Sequence, residues 1–368
     1  MGIAHKITRL YGAKGWAAIG AFMFIVLVLF PLLNLMVPKD SMFYLSDYFV
    51  ALAGKIMCYA MVALAMDLIW GFSGILSLGH GLFFALGGYA MGMYLMRQIG
   101  RDGNYKSDLP DFMVFLDWKT LPWHWALSDS FTATVLTILI VPALIAWVFG
   151  YFAFRSRIKG VYFSIITQAM TYACMLLFFR NETGFGGNNG FTDFKRILGH
   201  PIATQEMRII LFVLSAFFLM GFYLLAKWIM ASKMGRVLMA IRDAESRVMF
   251  SGYSPLPYKL SIWTLSALMC AVAGALYVPQ VGIINPSEMS PAQSIEIAIW
   301  TAVGGRGTLI GPIVGAFLVN LAKSWLTVTA PSIWLYFLGA LFILVTLFLP
   351  LGVVGFVQKL FKKEGARS

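Results

Sequence analysis

Long apolar runs separated by short polar segments leave this chain few ways to fold. They lie at about 17–37, 48–70, 75–96, 131–154, 161–179, 208–230, 260–284, 309–328 and 333–351. A helix needs about 20 mostly apolar residues to cross the hydrocarbon of a bilayer. A shorter run at 291–303 reads either as a short crossing or as a re-entrant piece. Of the 368 residues, 60% are hydrophobic and 12% are charged. Soluble domains have about 45–50% apolar and about 25% charged residues. A soluble enzyme is therefore excluded, because no water-soluble fold buries so much apolar side chain. Disorder is excluded too, since disordered chains are poor in apolar residues and rich in charge. The expectation is an all-α polytopic membrane protein with about ten transmembrane helices.

Charge placement orients these helices. Lys and Arg are retained on the cytoplasmic side, chiefly in short loops. With the N-terminus inside and every run crossing, the inner segments are 1–16, 155–159, 231–259, Arg306 and 355–368. They hold 16 Lys and Arg against 3 Asp and Glu. The outer segments, 38–47, 97–130, 180–208 and 285–290, hold 9 against 11. Both termini are thus expected in the cytoplasm. The chain divides into a cytoplasmic N-terminus (1–16), a membrane domain (17–354) and a basic cytoplasmic tail (355–368). The first run follows Lys6, Arg9 and Lys14 but exceeds a signal-peptide core, and no A-x-A-like site follows it. It is read as a retained helix. The loop 97–130 carries Trp118, Trp123 and Trp125. Aromatic residues favour the headgroup level, so this loop is expected to lie on the outer leaflet.

Few residues offer chemistry. Cys58, Cys174 and Cys270 are widely spaced inside apolar runs and give neither a disulfide framework nor a metal pattern. The histidines are scattered, and G-x-x-x-x-G-K-[ST] is absent. Intramembrane ionisable residues are functional candidates by default. Lys55, Lys227 and Lys323 read as snorkelling side chains near helix ends. Asp67 and Glu296 read either as polar contacts, between helices or with an inner basic residue, or as a proton or cation relay.

Three stretches carry more information. GFSGILSLGHGLFFALGGYA (71–90) spaces Gly71, Gly74, Ser77, Gly81, Ala85 and Gly88 as one small helical face. Such faces let helices approach closely in lipid, and broken glycine-rich helices mark transport pathways. VGGRGTLIGPIVGA (303–316) joins two apolar runs. Two glycine clusters in opposite halves hint at inverted repeats. The inner loop at 236–250 patterns as a helix with Val237, Ala240, Ile241, Ala244 and Val248 on one face. Gly252, Pro255 and Pro257 stop it. Such a helix either lies on the bilayer or docks into a partner's groove.

These three stretches, in this order, resemble the permease subunits of the branched-chain amino acid ABC transporter family, in its LivM-like branch. The 71–90 stretch is similar to that branch's G-x-x-G-x-x-S-L-G-H segment, and 303–316 to its C-terminal glycine signature. IRDAESRVMFSG (241–252) followed by YKLSIWTLSALMCAVAGALY (258–277) is similar to its coupling loop and next helix. The resemblance covers about residues 50–350. Val248 and Met249 depart from the small residues frequent there, which leaves the limits of the docking helix approximate. The outer loop RNETGFGGNNGFTDF (180–194) and the long 97–130 loop resemble the urea-uptake version of the family.

The resemblance implies a bacterial inner-membrane importer subunit, not an enzyme, and no role with nucleic acid. Its partners would be a second, different permease, two ATPase subunits that bind ATP and Mg, and an extracytoplasmic substrate-binding protein. No cofactor is expected on this chain. The 240–252 segment becomes a coupling helix, with Ala240, Ile241, Arg242, Asp243, Ala244, Glu245 and Gly252 facing the ATPase. The expected solute is urea. Ser73, Ser77, His80, Thr167, Gln168 and Asn320 are the expected polar liners of its path. Gly71, Gly74, Gly79, Gly304, Gly305, Gly307 and Gly311 are the expected gating glycines. A branched-chain amino acid is the alternative solute. An ion-coupled secondary transporter using Asp67 or Glu296 is the alternative class.

Overall fold

The computed structural model describes residues 10–348 and 351–365. Of the terminal segments expected in the cytoplasm, 1–9 and 366–368 lie outside the described residues, as do 349–350 of the last apolar run. The first helix, α1, runs through Ala13–Phe24, a π-helical stretch Ile25–Leu29 and Phe30–Leu35. It is followed by α2 (Asp47–Ser73), α3 (His80–Arg97), a short α4 (Asp111–Phe115), α5 (Phe131–Arg155) and α6 (Val161–Phe179). Then come α7 (Gln205–Ala231), α8 (Lys233–Phe250), α9 (Pro255–Val281), α10 (Pro291–Gly304), α11 (Ile310–Thr329), α12 (Trp334–Phe348) and α13 (Gly352–Gly365).

Among the described residues, seven helices are long and apolar enough to cross a membrane: α1, α2, α5, α6, α7, α9 and α11. The remaining apolar runs yield weaker helices. α10 has 14 residues and α12 has 15. α3 reaches 18 but is diluted by His80, its glycines and Arg97. It also starts later than the run at 75–96 suggests. Gly74 adopts φ +72 after α2, and the Ile75 N–H returns to the Ile69 carbonyl at 3.1 Å. This left-handed close ends the helix. Residues 74–79 then run without helix.

α2 and α9 form the centre, with 72% of each apolar span buried against 6% for α1. A helix apolar all round belongs in such a core. α9 packs on α3, α2 and α5. Small residues set the spacing, but not along the expected face. The break at 74–79 prevents Gly71, Gly74, Ser77 and Gly81 from sharing one helix. The tightest α3–α9 contacts come instead from Gly87, where a Cβ would overlap the Ala271 backbone, and Gly274, where it would overlap Phe84. Lipid offers no hydrophobic drive between helices, so this close van der Waals packing carries the association.

Both long outer loops join one cap. Arg97 holds Asp129 at 2.6 Å, and Arg196 pairs with Asp102. Trp125 is buried and donates to the Gly184 carbonyl at 2.9 Å. The loop is therefore not simply laid on the leaflet, although Trp123 is exposed. Phe191–Thr192 pairs antiparallel with Ile283–Ile284, and Arg196–Ile197 with His200–Pro201.

Overpacking a close contact costs about 1–3 kcal/mol. Gly274→Leu should lower the melting temperature of the detergent-solubilised protein by several degrees. Gly221→Ala, whose Cβ meets nothing within 4 Å, should not lower it.

Candidate functional site

The unwound stretch 74–79 must satisfy its backbone away from water, and α6 supplies the partners. Thr167 accepts the Leu78 N–H at 3.1 Å, and Ser164 donates to the Leu76 carbonyl at 2.7 Å. Ser77 accepts the Gly79 N–H at 3.1 Å. His80 then opens α3, fully buried, with its ring edge-on to Trp263 at 5.8 Å. Neither His80 nitrogen meets a hydrogen-bond partner, nor does either end of the Gln168 amide.

The second glycine cluster closes on α2. Asp67, wholly buried, accepts the Gly307 N–H at 2.5 Å and the Leu309 N–H at 3.0 Å. Leu309 sits at φ +62, and the Ile310 N–H turns back to the Thr308 carbonyl at 2.8 Å. A bulky residue in that region costs about 1–3 kcal/mol and persists only when its surroundings hold it; the Asp67 carboxylate does so here. A Cβ on Gly71 would overlap both Asp67 and the Gly307 backbone. Gly304 approaches Gly311 and Gly315, and Gly305 approaches Gly352, equally closely.

The third motif meets the first two at the same end of the bundle. Arg242 of α8 donates to the Gly71 carbonyl at 2.8 Å, and its stem covers Gly74. Glu245 bonds Lys159, in the α5–α6 loop, at 2.7 Å and Lys259, on the first turns of α9, at 2.6 Å. Burial works against the charged carboxyl, but the two ammonium groups outweigh it and hold Glu245 below the usual carboxylate range. The helix is not the uniform one expected. It starts at Lys233 and breaks at Ala244, which adopts φ −157 and ψ 75. Its buried face is Gly235, Leu238, Ile241 and Val248, whereas Ala240 is exposed. On the other side, a groove of about 590 Å³ runs past Lys233, Arg236, Asp243, Arg247 and Tyr253.

Of the expected path residues, Ser77, His80, Thr167 and Gln168 gather at or beside the unwound stretch. Ser73 and Asn320 do not join them through hydrogen bonds. Ser73 bonds back to the Leu68 carbonyl, and Asn320, on α11, to that of Ala316. Asp67 and Glu296 are engaged in structural contacts. The first clamps a loop. The second binds Lys323 through both oxygens at 2.8 Å, so Lys323 does not snorkel.

A polar group on the side of the bundle that carries the loop cap was not evident from the sequence. Tyr59 donates to the Tyr277 hydroxyl at 3.2 Å, and Tyr277 to Glu288 Oε1 at 3.2 Å. The Lys55 ammonium stands 5.7 Å from the Tyr59 ring centre, and the Trp300 ring 4.8 Å from it. Lys55 feels the charges of Glu288, Glu296 and Lys323. The available signal was that intramembrane ionisable residues are functional by default. It was missed because Glu288 reads as a loop residue and Lys55 as a helix-end residue.

This architecture is that of a polytopic membrane protein. The chain belongs to the branched-chain amino acid transport system permease component family, whose model matches residues 48–346. It is 22% identical over 348 residues to the high-affinity branched-chain amino acid permease protein LivM of Salmonella typhimurium, covering 89% of this chain and 74% of that one. The Escherichia coli LivM matches at 22% over 88% of this chain and 74% of its own length. The ribose import permease protein RbsC of Escherichia coli is 20% identical over 54% of this chain and 62% of its own. No solved structure matches. The chain is thus a permease component of the ABC transport family and a multi-pass inner-membrane protein, a transport component rather than an enzyme.

The Glu245 joint has a definite pH signature. A carboxyl whose folded value lies below its unfolded one, near 4.3, adds stability above that value and loses it as pH falls through the folded value. Thermal unfolding in detergent should show this loss on acidification. Glu245→Gln should flatten that step and lower stability at neutral pH, because Lys259 is then left buried and unpaired.

Proposed function

We propose that this chain is one of two different permease subunits of an importer that carries urea into the cytoplasm by alternating access. Two ATPase subunits holding ATP and Mg would drive it, and an extracytoplasmic binding protein would supply the solute. Ten crossings with both termini inside accompany this reading, α3, α10 and α12 being the shorter or more polar spans.

The observation that carries the solute assignment is the seat of the 180–194 loop. That loop resembles the urea branch of the family, and it is not a peripheral ornament. Its strand Phe191–Thr192 pairs with Ile283–Ile284, directly before the polar segment containing Glu288. Phe185 and Phe191 pack edge-on to Tyr89 from above. Around Tyr59 the charges of Lys55, Lys323, Glu288 and Glu296 balance, which suits an uncharged solute. Around the unwound stretch the unpartnered groups, His80 and Gln168, are side chains that hydrogen-bond without a full charge. Urea offers four N–H donors and one carbonyl acceptor. Leaving its partners unpaired with a wrong solute costs about 1–3 kcal/mol per group.

Charges of both signs also suit a zwitterion, so a branched-chain amino acid is the second reading, in keeping with the LivM relatives. Labelled urea and labelled leucine at low micromolar concentration, in cells lacking the gene and in complemented cells, separate the two. Loss of urea uptake alone is expected. Loss of leucine uptake alone would overturn the solute, and loss of neither would return it to unknown.

In the cycle, closure of the ATPase pair would push on the α8 groove. Arg242 would carry that motion to the end of α2, and Glu245 to α5–α6 and α9. The glycines at 71, 74, 79, 304, 305, 307 and 311 would let backbones slide or bend there. Arg242→Ala and Gly252→Val should therefore uncouple ATP hydrolysis from uptake. Gly252 sits at φ +83, a conformation that L side chains rarely adopt. Normal stimulated hydrolysis together with normal uptake in both variants would remove α8 from the coupling path.

A further inference from the structure

The geometry points to a solute station in the outer half of this subunit, built by Glu288, Tyr277, Tyr59, Lys55 and Trp300, that takes a urea-type amide. It rests on the urea reading above and gives that reading a place in the chain.

Three features carry it. The first is convergence. Tyr59, Tyr277 and Glu288 form one hydrogen-bonded chain across α2, α9 and the segment before α10, both links being 3.2 Å. The second is a set of buried polar atoms that the protein leaves without partners. Glu288 Oε2, the Trp300 Nε1–H, the Ser294 hydroxyl and the Tyr89 hydroxyl all belong to it. Trp300 is fully buried against Tyr59, and Ser294 and Tyr89 are each 1% exposed. Buried polar atoms ordinarily have partners, so a cluster of exceptions marks a place where something else supplies them. The third is complementarity. One carboxylate with a free oxygen can accept two parallel N–H bonds, and an ammonium and an indole N–H can donate.

Urea matches that set. One N–H from each of its two nitrogens points away from the carbonyl, and these two run parallel. They would bind the Glu288 carboxylate, while Lys55 and the Trp300 Nε1–H would donate to the carbonyl oxygen. Tyr277, already donating to Oε1, would fix the carboxylate. Gly81 keeps this region narrow, since a Cβ there would press on the Glu288 carbonyl at 2.9 Å, with the Ser294 hydroxyl 3.6 Å away. A solute lacking paired N–H groups leaves the carboxylate unsatisfied. One without a carbonyl leaves the ammonium so. Removal of a partner is costly where the protein atom is buried, as Glu288 Oε2 and the Trp300 Nε1–H are, which is how a hydrogen-bonding site rejects an analogue.

The test uses the full chain in its own cells. A strain lacking the gene is complemented with wild type, Glu288→Gln, Glu288→Asp or Tyr277→Phe, and membrane abundance is measured by immunoblot. Urea uptake is then followed against concentration. Glu288→Gln should lower uptake tenfold or more at low micromolar urea and raise the half-saturating concentration. Glu288→Asp should restore part of the loss, and Tyr277→Phe should cost several-fold. A fall in maximal rate that follows membrane abundance, with the half-saturating concentration unchanged, would assign these residues to folding and overturn the station. So would Glu288→Gln uptake within twofold of wild type. Failure of wild type itself to restore urea uptake would overturn the urea reading and the station together.

Discussion

Buried backbone that leaves a helix has no water to turn to, and the protein must supply its partners. Among the described residues, the two glycine motifs leave helix at 74–79 and at 305–309. Each break is served by side chains of another helix. Ser164 and Thr167 of α6 bond the first. Asp67 of α2 bonds the second. Without those partners neither glycine motif could stay unwound, and the inner end of the bundle would have no joints. The positive φ of Leu309 shows that the second break is held against its own backbone preference.

The two breaks lie at one end of α2, and α8 reaches the first of them through Arg242. Arg242 bonds the Gly71 carbonyl, while Asp67, one turn earlier on α2, holds Gly307. A displacement of α8 is thereby transmitted to backbone rather than to flexible side-chain packing. The outer half is built differently. There α3 and α9 touch backbone to backbone at Gly87 and Gly274, and aromatic rings close the cap around Tyr89. A close-packed interior of this kind passes strain on instead of absorbing it. One end of the bundle is thus held by hydrogen bonds to unwound backbone and the other by close helix packing.

Particular residues show why part of the site was legible and part was not. His80, Thr167 and Gln168 stand out in the sequence as polar groups in apolar runs, and the break sets Thr167 against Leu78, two residues before His80. Asn320 stood out equally but bonds within its own helix. Lys323 seemed to lie near enough a helix end to snorkel, yet Glu296 of α10 holds it inside. No local pattern encodes that pairing, because the partners come from different helices. Glu288 lies in a stretch that reads as an outer loop. Only the fold brings it under Tyr277.

The sequence by itself determined the class, the rough apolar spans and the three motifs. Hydrophobicity over 20 residues is a local property, and transfer free energy reads it directly. It did not determine where α3 begins, how α8 bends at Ala244, or which glycines touch. Those follow from contacts between segments far apart in the chain, where one carboxylate or hydroxyl decides whether backbone can leave a helix. The Tyr59–Tyr277–Glu288 chain is likewise a product of tertiary packing, since its members lie on three segments that meet only in the folded bundle.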